Sequence, residues 1–209
     1  MGDTTPAGEE RRHLFTEPDG FDATWVHRGA RQGFETAWLR RQGDGHRLVG
    51  RTCAIEDGVA WAVGYNINVD NQWRTLRADL TETVAGRDTN RVIETDGAGR
   101  WTIDGVETPS VDGCFDIDLE SSALTNTIFL HRVQPSTDDL YDAPAVFVRC
   151  APLRLERVEQ TYQRTAADTA NPDDVSFAYK APAYDTDIEL RFDQNGLVLD
   201  YPGLAVRFS

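Results

Sequence analysis

Apolar residues recur at every second position along most of this chain, and that period constrains the fold more than any other feature. In "WAVGYNINVD", Trp61, Val63, Tyr65, Ile67 and Val69 share one face, while Ala62, Gly64, Asn66, Asn68 and Asp70 share the other. This is the alternation of a half-buried strand. Residues Asp70 to Gln72 predict a hairpin turn, after which Arg74, Leu76, Ala78 and Leu80 alternate with Trp73, Thr75, Arg77 and Asp79. The segments "RVIETD", "GRWTID", "AVFVRC", "LRLERVEQTYQR", "VSFAYKA", "DIELRF" and "LVLDY" repeat the pattern, and "TAWLRRQ" reads as a strand in preference to a helical turn. Between them stand "DGAG", "QPSTDD", "TANPDD" and "DQNG", whose Gly, Pro, Asn and Asp favour turns. The expected fold class is all-β, an antiparallel sheet with little helix that curls into a roll.

At 209 residues an all-β chain fits one domain, here expected over residues 21–209 behind a polar tail at 1–20. The start, "MGDTTPAGEERRHLF", lacks the apolar run of a signal peptide, and no window approaches the roughly 18 apolar residues that span a bilayer. A soluble, cytoplasmic protein is therefore expected. Cys53, Cys114 and Cys150 are odd in number, far apart and without a Cys-x-x-Cys pair, the mark of reduced thiols instead of a zinc or disulfide framework. The net charge is −14, spread along the sequence, with Lys180 the only lysine. Such a surface repels phosphate backbones and anionic headgroups, so neither nucleic acid nor a charged membrane is an expected partner. Dispersed acidity of this kind also suits a salt-adapted, halophilic source.

The densest polar stretch is "GCFDIDLESSALTNT", residues 113–127. On a strand, Phe115, Ile117 and Leu119 point one way and Asp116, Asp118 and Glu120 the other. A solvated acidic face is the simplest reading of the carboxylates. Hydrolysis is the sharper one, because Cα atoms two residues apart on a strand are separated by about 6.6 Å, near the spacing of glycosidase acid and base. Calcium would need six to eight oxygens in a loop spacing absent here, so no metal is expected. No Gly-x-Ser-x-Gly elbow, His-Glu-x-x-His helix or glycine-rich phosphate loop appears, and no cofactor is called for. His13, His27, His46 and His131 are isolated in sequence and read as surface or hydrogen-bonded residues.

The succession of Trp25, "GYNINVDNQW", Trp101, "GCFDIDLESSALTNT", Arg132, "EQTYQR" and "GLVLDYPGL" resembles the putative glycolipid-binding family, over nearly everything after the tail. Its most specific parts are Cys-x-Asp-x-Asp followed by Thr-Asn-Thr, Gln160-x-Tyr162, and the run from Gly196 to Gly203. Ala123-Leu124 and Ile128-Phe129 stand where that family often has prolines. The resemblance implies a spiral β-roll and a non-enzymatic binding protein for a small amphiphile such as a glycolipid. Aromatic rings on the concave sheet would take acyl chains or sugar faces, and polar groups at the rim would bond hydroxyls. The candidate contacts are Asp70, Arg74, Asp116, Asp118, Thr125, Asn126, Arg132, Gln160 and Tyr162, with Trp73, Trp101 and Tyr201 as aromatic surfaces. A carboxylate-dependent hydrolase of a glycoside or lipid ester, working through Asp116 or Asp118, is the alternative.

The end of the chain, "NGLVLDYPGLAVRF", predicts a turn at Asn195-Gly196, a strand with Leu197 and Leu199 on one face, and a bend at Tyr201-Pro202-Gly203. The segment is expected to close the sheet, with Pro202 at a bulge or strand end and Tyr201 held in place.

Overall fold

The computed structural model describes residues 14–16, 18–135, 139–166, 171 and 173–208. The period-two segments become strands. β1 (Gly20–His27), β2 (Gln32–Gln42), β3 (Gly45–Glu56), β4 (Val59–Val69), β5 (Thr75–Val84) and β6 (Arg87–Thr95) form an antiparallel meander that the short β7 (Trp101–Ile103) and β8 (Val106–Glu107) finish. There follow β9 (Asp116–Leu119), helix α1 (Asn126–Val133), β10 (Leu140–Asp142), β11 (Ala145–Arg149) and β12 (Arg154–Val158). A second limb comprises β13 (Thr161–Thr165), β14 (Val175–Ala181), β15 (Thr186–Phe192), β16 (Val198–Tyr201) and β17 (Ala205–Arg207).

Fourteen of these strands form one sheet in the order β10-β13-β14-β15-β16-β17-β1-β2-β3-β4-β5-β6-β7-β8. The last strand of the chain thus lies mid-sheet, where Val206 faces Val26 of β1. The strands' right-handed twist curls so long a sheet, and its edges, β8 and β10, do not pair, which leaves an open roll. The remaining strands form a smaller sheet, β12-β11-β9, in which β9 runs parallel to β11.

The inner faces are those the alternation assigns in β4, where Trp61, Val63, Tyr65, Ile67 and Val69 are all buried. Gly50 of β3 pairs with Tyr65, and a Cβ there would lie 2.0 Å from the phenol ring. The missing side chain lets the ring cross β3 and reach Glu35 on β2. The concave side is filled. Trp25, Leu39, Leu48, Ile67 and Leu80 of the first limb share one core with Phe177 and Phe192 of the second and with Ile128, Phe129 and Leu130 of α1.

Several expectations need correction. The 113–127 stretch does not expose an acidic face, since all four residues of β9 are buried, Asp116 and Asp118 included. The free edge of β9 is covered: Ile117 N–H donates to Thr75 Oγ1 at 3.2 Å, and Leu119 N–H to Thr125 Oγ1 at 3.1 Å. Phe115, which the alternation places on one face with Ile117 and Leu119, is exposed while those two are buried. In β5 the pairing register shifts opposite Asn68 and Val69, so Leu76 turns outward while Ala78 and Leu80 point in, as a bulge requires. Thr-Asn-Thr opens a helix whose Asn126 to His131 are all buried, so it has no polar face to show in the sequence. Of the expected polar tail, residues 1–13 lie outside the described residues. Phe15 is core, and Gln134 Oε1 accepts the backbone N–H groups of Leu14 and Phe15. At the other end, Tyr201-Pro202-Gly203-Leu204 reverses the chain between β16 and β17 instead of bending one strand. Leu204 N–H donates to Tyr201 O at 3.0 Å, and Gly203 has φ +79°, which is a type II turn with proline and glycine at its two central positions.

Candidate functional site

The parallel pairing of β9 with β11 sets the small sheet against β14, β15 and the β16–β17 turn. Between them lies a cleft of about 330 Å³. Its floor carries Asp118 from β9, Ser122 from the following loop and Asn126 from the first turn of α1, all buried. Tyr179 of β14 and Tyr201 of β16 flank the floor with their rings 6.0 Å apart, edge to face. The mouth is lined by Phe147, Tyr184, Ile188, Pro202 and Leu204, all partly or fully exposed, with Asp185 among them. Polar groups were expected at the rim, and here Asp118, Ser122 and Asn126 lie at the buried end, beside the rings of Tyr179 and Tyr201.

Local sequence explains each position. In β14, Val175, Phe177, Tyr179 and Ala181 point inward by strand alternation. Tyr201 ends β16 at the type II turn. Thr125 directly precedes α1, but its hydroxyl does not cap the helix; it donates to Asp118 Oδ1 at 2.9 Å. Asn126 Oδ1 accepts the Tyr162 hydroxyl at 2.7 Å, which fixes the amide, and Gln160 Oε1 accepts the Tyr179 hydroxyl at 2.6 Å. Burial pushes the Asp118 carboxyl up to about 6; hydrogen bonds from Thr125 and Gln160 pull against that, and the nearby Asp116 and Glu120 add to it. Burial also raises the hydroxyls of Tyr179 and Tyr201, so both stay protonated donors.

One wall carries a compensated charge. The Arg31 guanidinium reaches Glu120 Oε1 at 3.1 Å, the Glu120 carbonyl at 2.6 Å and Glu56 Oε2 at 3.0 Å, and it lies 5.6 Å from the centroid of Trp61. Two carboxylates offset this cation, so the cleft offers no free positive charge to an anionic ligand. Its polar groups are acceptors on Asp118 and the amide donor of Asn126, with the Tyr179 oxygen as a further acceptor because its proton goes to Gln160. That mixture matches hydroxyl groups, which donate and accept at once. A larger hollow, about 560 Å³, lies on the outer side of β2 to β5, lined by residues such as Arg47, Arg51, Thr81 and Thr83, and has no buried acid.

Of the residues singled out in the sequence, Asp118, Asn126 and Tyr201 line the cleft, and Thr125, Gln160 and Tyr162 brace them from behind. The others stand elsewhere. Asp116 does not line the cleft; Arg132 binds it in two-pronged fashion at 2.8 and 2.6 Å, and Arg132 also packs on Phe115 and Phe129. Asp70 caps its own turn, accepting the Gln72 and Arg74 N–H groups and pairing with the Arg74 side chain. Trp73 is buried between His46 and His131, with centroids 4.5 and 4.2 Å away. Trp101 is core, its indole N–H donating to Cys114 O. His27 is buried too, against Thr52 Oγ1 at 2.9 Å. Arg31, Glu120, Ser122, Tyr179 and Tyr184 line the cleft without having been singled out. Tyr179 was signalled by the alternation of "VSFAYKA", whereas Arg31 sits in a short connection with no signature of its own.

Known structures carry the same architecture. The crystal structure of a DUF1089 family protein from Pseudomonas aeruginosa is 22% identical, with 99% of this chain and 100% of that one covered at a TM-score of 0.69. A β-barrel-like protein of the DUF1849 domain from Brucella abortus is 10% identical over 89% of this chain and 93% of its own, with a TM-score of 0.52. At these identities the likeness concerns the fold. No curated protein matches the sequence. The profile of the family described as "Putative glycolipid-binding" matches residues 22–207, nearly everything the fold contains, and the chain belongs to that family.

Proposed function

We propose that the protein binds a neutral, hydroxylated amphiphile of the glycolipid class, without chemical turnover, in the cleft between the small sheet and the second limb. The observation that carries this reading is the cleft floor, where Asp118, Asn126 and Ser122 are buried together and braced by Thr125, Gln160 and Tyr162. A carboxylate so held is costly to bury, and accepting ligand hydroxyls would offset that cost. Family membership supports a binding role. Of the two carboxylates that the hydrolytic alternative names, Asp116 or Asp118, Asp116 is taken up by Arg132 and does not face the cleft, and Asp118 stands there without a second carboxylate of that pair.

The test is a calorimetric titration with octyl β-D-glucoside below its micelle concentration, at pH 7.5, where Asp118 is largely ionised. Saturable binding is expected. Asp118→Asn keeps the shape and removes the charge, so affinity should fall about tenfold or more, the worth of a hydrogen bond to a charged group. Thermal melting checks that the variant folds. Equal affinity of a folded Asp118→Asn protein would overturn the assignment.

A further inference from the structure

We infer that the cleft binds its ligand head first, the hydroxylated headgroup on the floor and the hydrocarbon left at the rim and outside. This rests on the binding reading above and adds the orientation. Three observations carry it. The buried end of the cleft is polar: Asp118 is 7% exposed, Asn126 3% and Ser122 1%. Thr125 and Gln160 leave part of the acceptor capacity of the Asp118 carboxylate open toward the cleft, and an alkyl chain laid there would take water from it and offer no hydrogen bond in return. The open end is apolar, with Phe147 and Tyr184 packed 4.9 Å apart and Ile188, Leu204 and Pro202 beside them. The packing behind the cleft floor points the same way, because an alkyl chain that passed the floor would have to displace core side chains. Among the described residues, core side chains and α1 occupy the concave side of the roll.

Head-first binding makes a quantitative claim about chain length. Each methylene that is fully buried strengthens binding by about fourfold. A chain that leaves the protein adds nothing once it passes the rim. The experiment is a calorimetric series from methyl to decyl β-D-glucoside and the matching galactosides, below micelle concentrations, with decanoate as a tail-only competitor. Affinity is expected to rise from methyl to about butyl, as the chain covers Phe147, Ile188 and Leu204, and then to level off, with decanoate unable to compete. Ile188→Ser should weaken the butyl glycoside severalfold more than the methyl glycoside, whereas Asp118→Asn should weaken every member by the same factor. A rise of about fourfold per methylene through decyl, or competition by decanoate, would overturn the orientation while leaving the binding reading intact. No saturable binding by any glycoside would overturn both.

Discussion

Glu35 is the residue whose chemistry most exceeds what its sequence context announces. It lies in "GFETAW", where Phe34 and Trp38 look like the core face, yet both of these are exposed and Glu35, Ala37 and Leu39 point inward. The carboxylate accepts the Tyr65 hydroxyl at 2.6 Å, the Ser122 hydroxyl at 2.5 Å and the Ala123 N–H at 2.7 Å, and so ties the cleft-floor loop to the first limb. Complete burial raises its carboxyl from 4.5 to about 7, against the pull of those hydrogen bonds. Between these two values the folded protein holds a proton that the unfolded chain has released, so this group's contribution falls as pH rises from about 4.5 to 7 and is flat above. The loss integrates to roughly 3 kcal/mol. His27, lowered to about 4 by burial and by Arg31, works oppositely between about 4 and 6.5. The difference between variants therefore isolates Glu35. In Glu35→Gln the amide oxygen can keep the Ala123 N–H while both hydroxyls turn to accept from the amide nitrogen, so the fold should survive. Urea unfolding from pH 4.5 to 8 should show wild type losing stability relative to Glu35→Gln; parallel curves would contradict the assignment.

Among the elements, the strands were legible, β9, β11 and β12 included, whereas helix α1 and the burial of β9 were not, for a physical reason. A strand with one wet face writes its period into the sequence, as β4 does. By contrast, α1 is buried on almost every side and leaves no helical stripe to read, while β9 alternates apolar residues with carboxylates and yet buries both faces, so its period pointed to a wet face that is not there. What did mark them was polarity at buried positions. The Asp-x-Asp and Thr-Asn-Thr motifs became the cleft floor and its brace through Asp118, Thr125 and Asn126, while Asp116 became one half of an ion pair with Arg132. The β16–β17 turn was legible in composition and misjudged in consequence, because proline followed by glycine specifies a reversal. Gly203 has open space around its Cα, so a side chain there meets no clash and costs only the left-handed backbone. Gly203→Ala should destabilise by about 1–2 kcal/mol in urea unfolding. A change below about 0.3 kcal/mol would show that the turn relaxes into another type.

At the scale of the whole molecule, the fold depends on one joint. The meander β1 to β8 and the limb β13 to β15 are far apart in sequence, and β16 and β17 alone connect them within the large sheet, β17 pairing with β1 and β16 with β15. The same two strands carry other structural tasks. Trp25 donates its indole N–H to Val198 O at 2.7 Å, Arg207 lies over the Trp25 ring and pairs with Asp193, and Leu197, Val198 and Ala205 are core. The sequence expectation that this segment closes the sheet agrees with the pairing, although it joins two halves at the middle instead of sealing an edge. Deleting residues 197–209 would therefore expose two adjacent strand edges, those of β15 and β1, and uncover the aromatic core between the limbs. Unpaired edges of that length recruit other chains, and a surface with net charge −14 repels intact neighbours without satisfying an open ladder. The truncated protein should lose its cooperative thermal transition and its near-ultraviolet dichroism and run as aggregates on size exclusion, while retaining some strand signal from the β1–β6 meander. A monomer that still melts cooperatively would mean that the two limbs hold together through the buried core alone, and that β17 is an accessory strand instead of the joint.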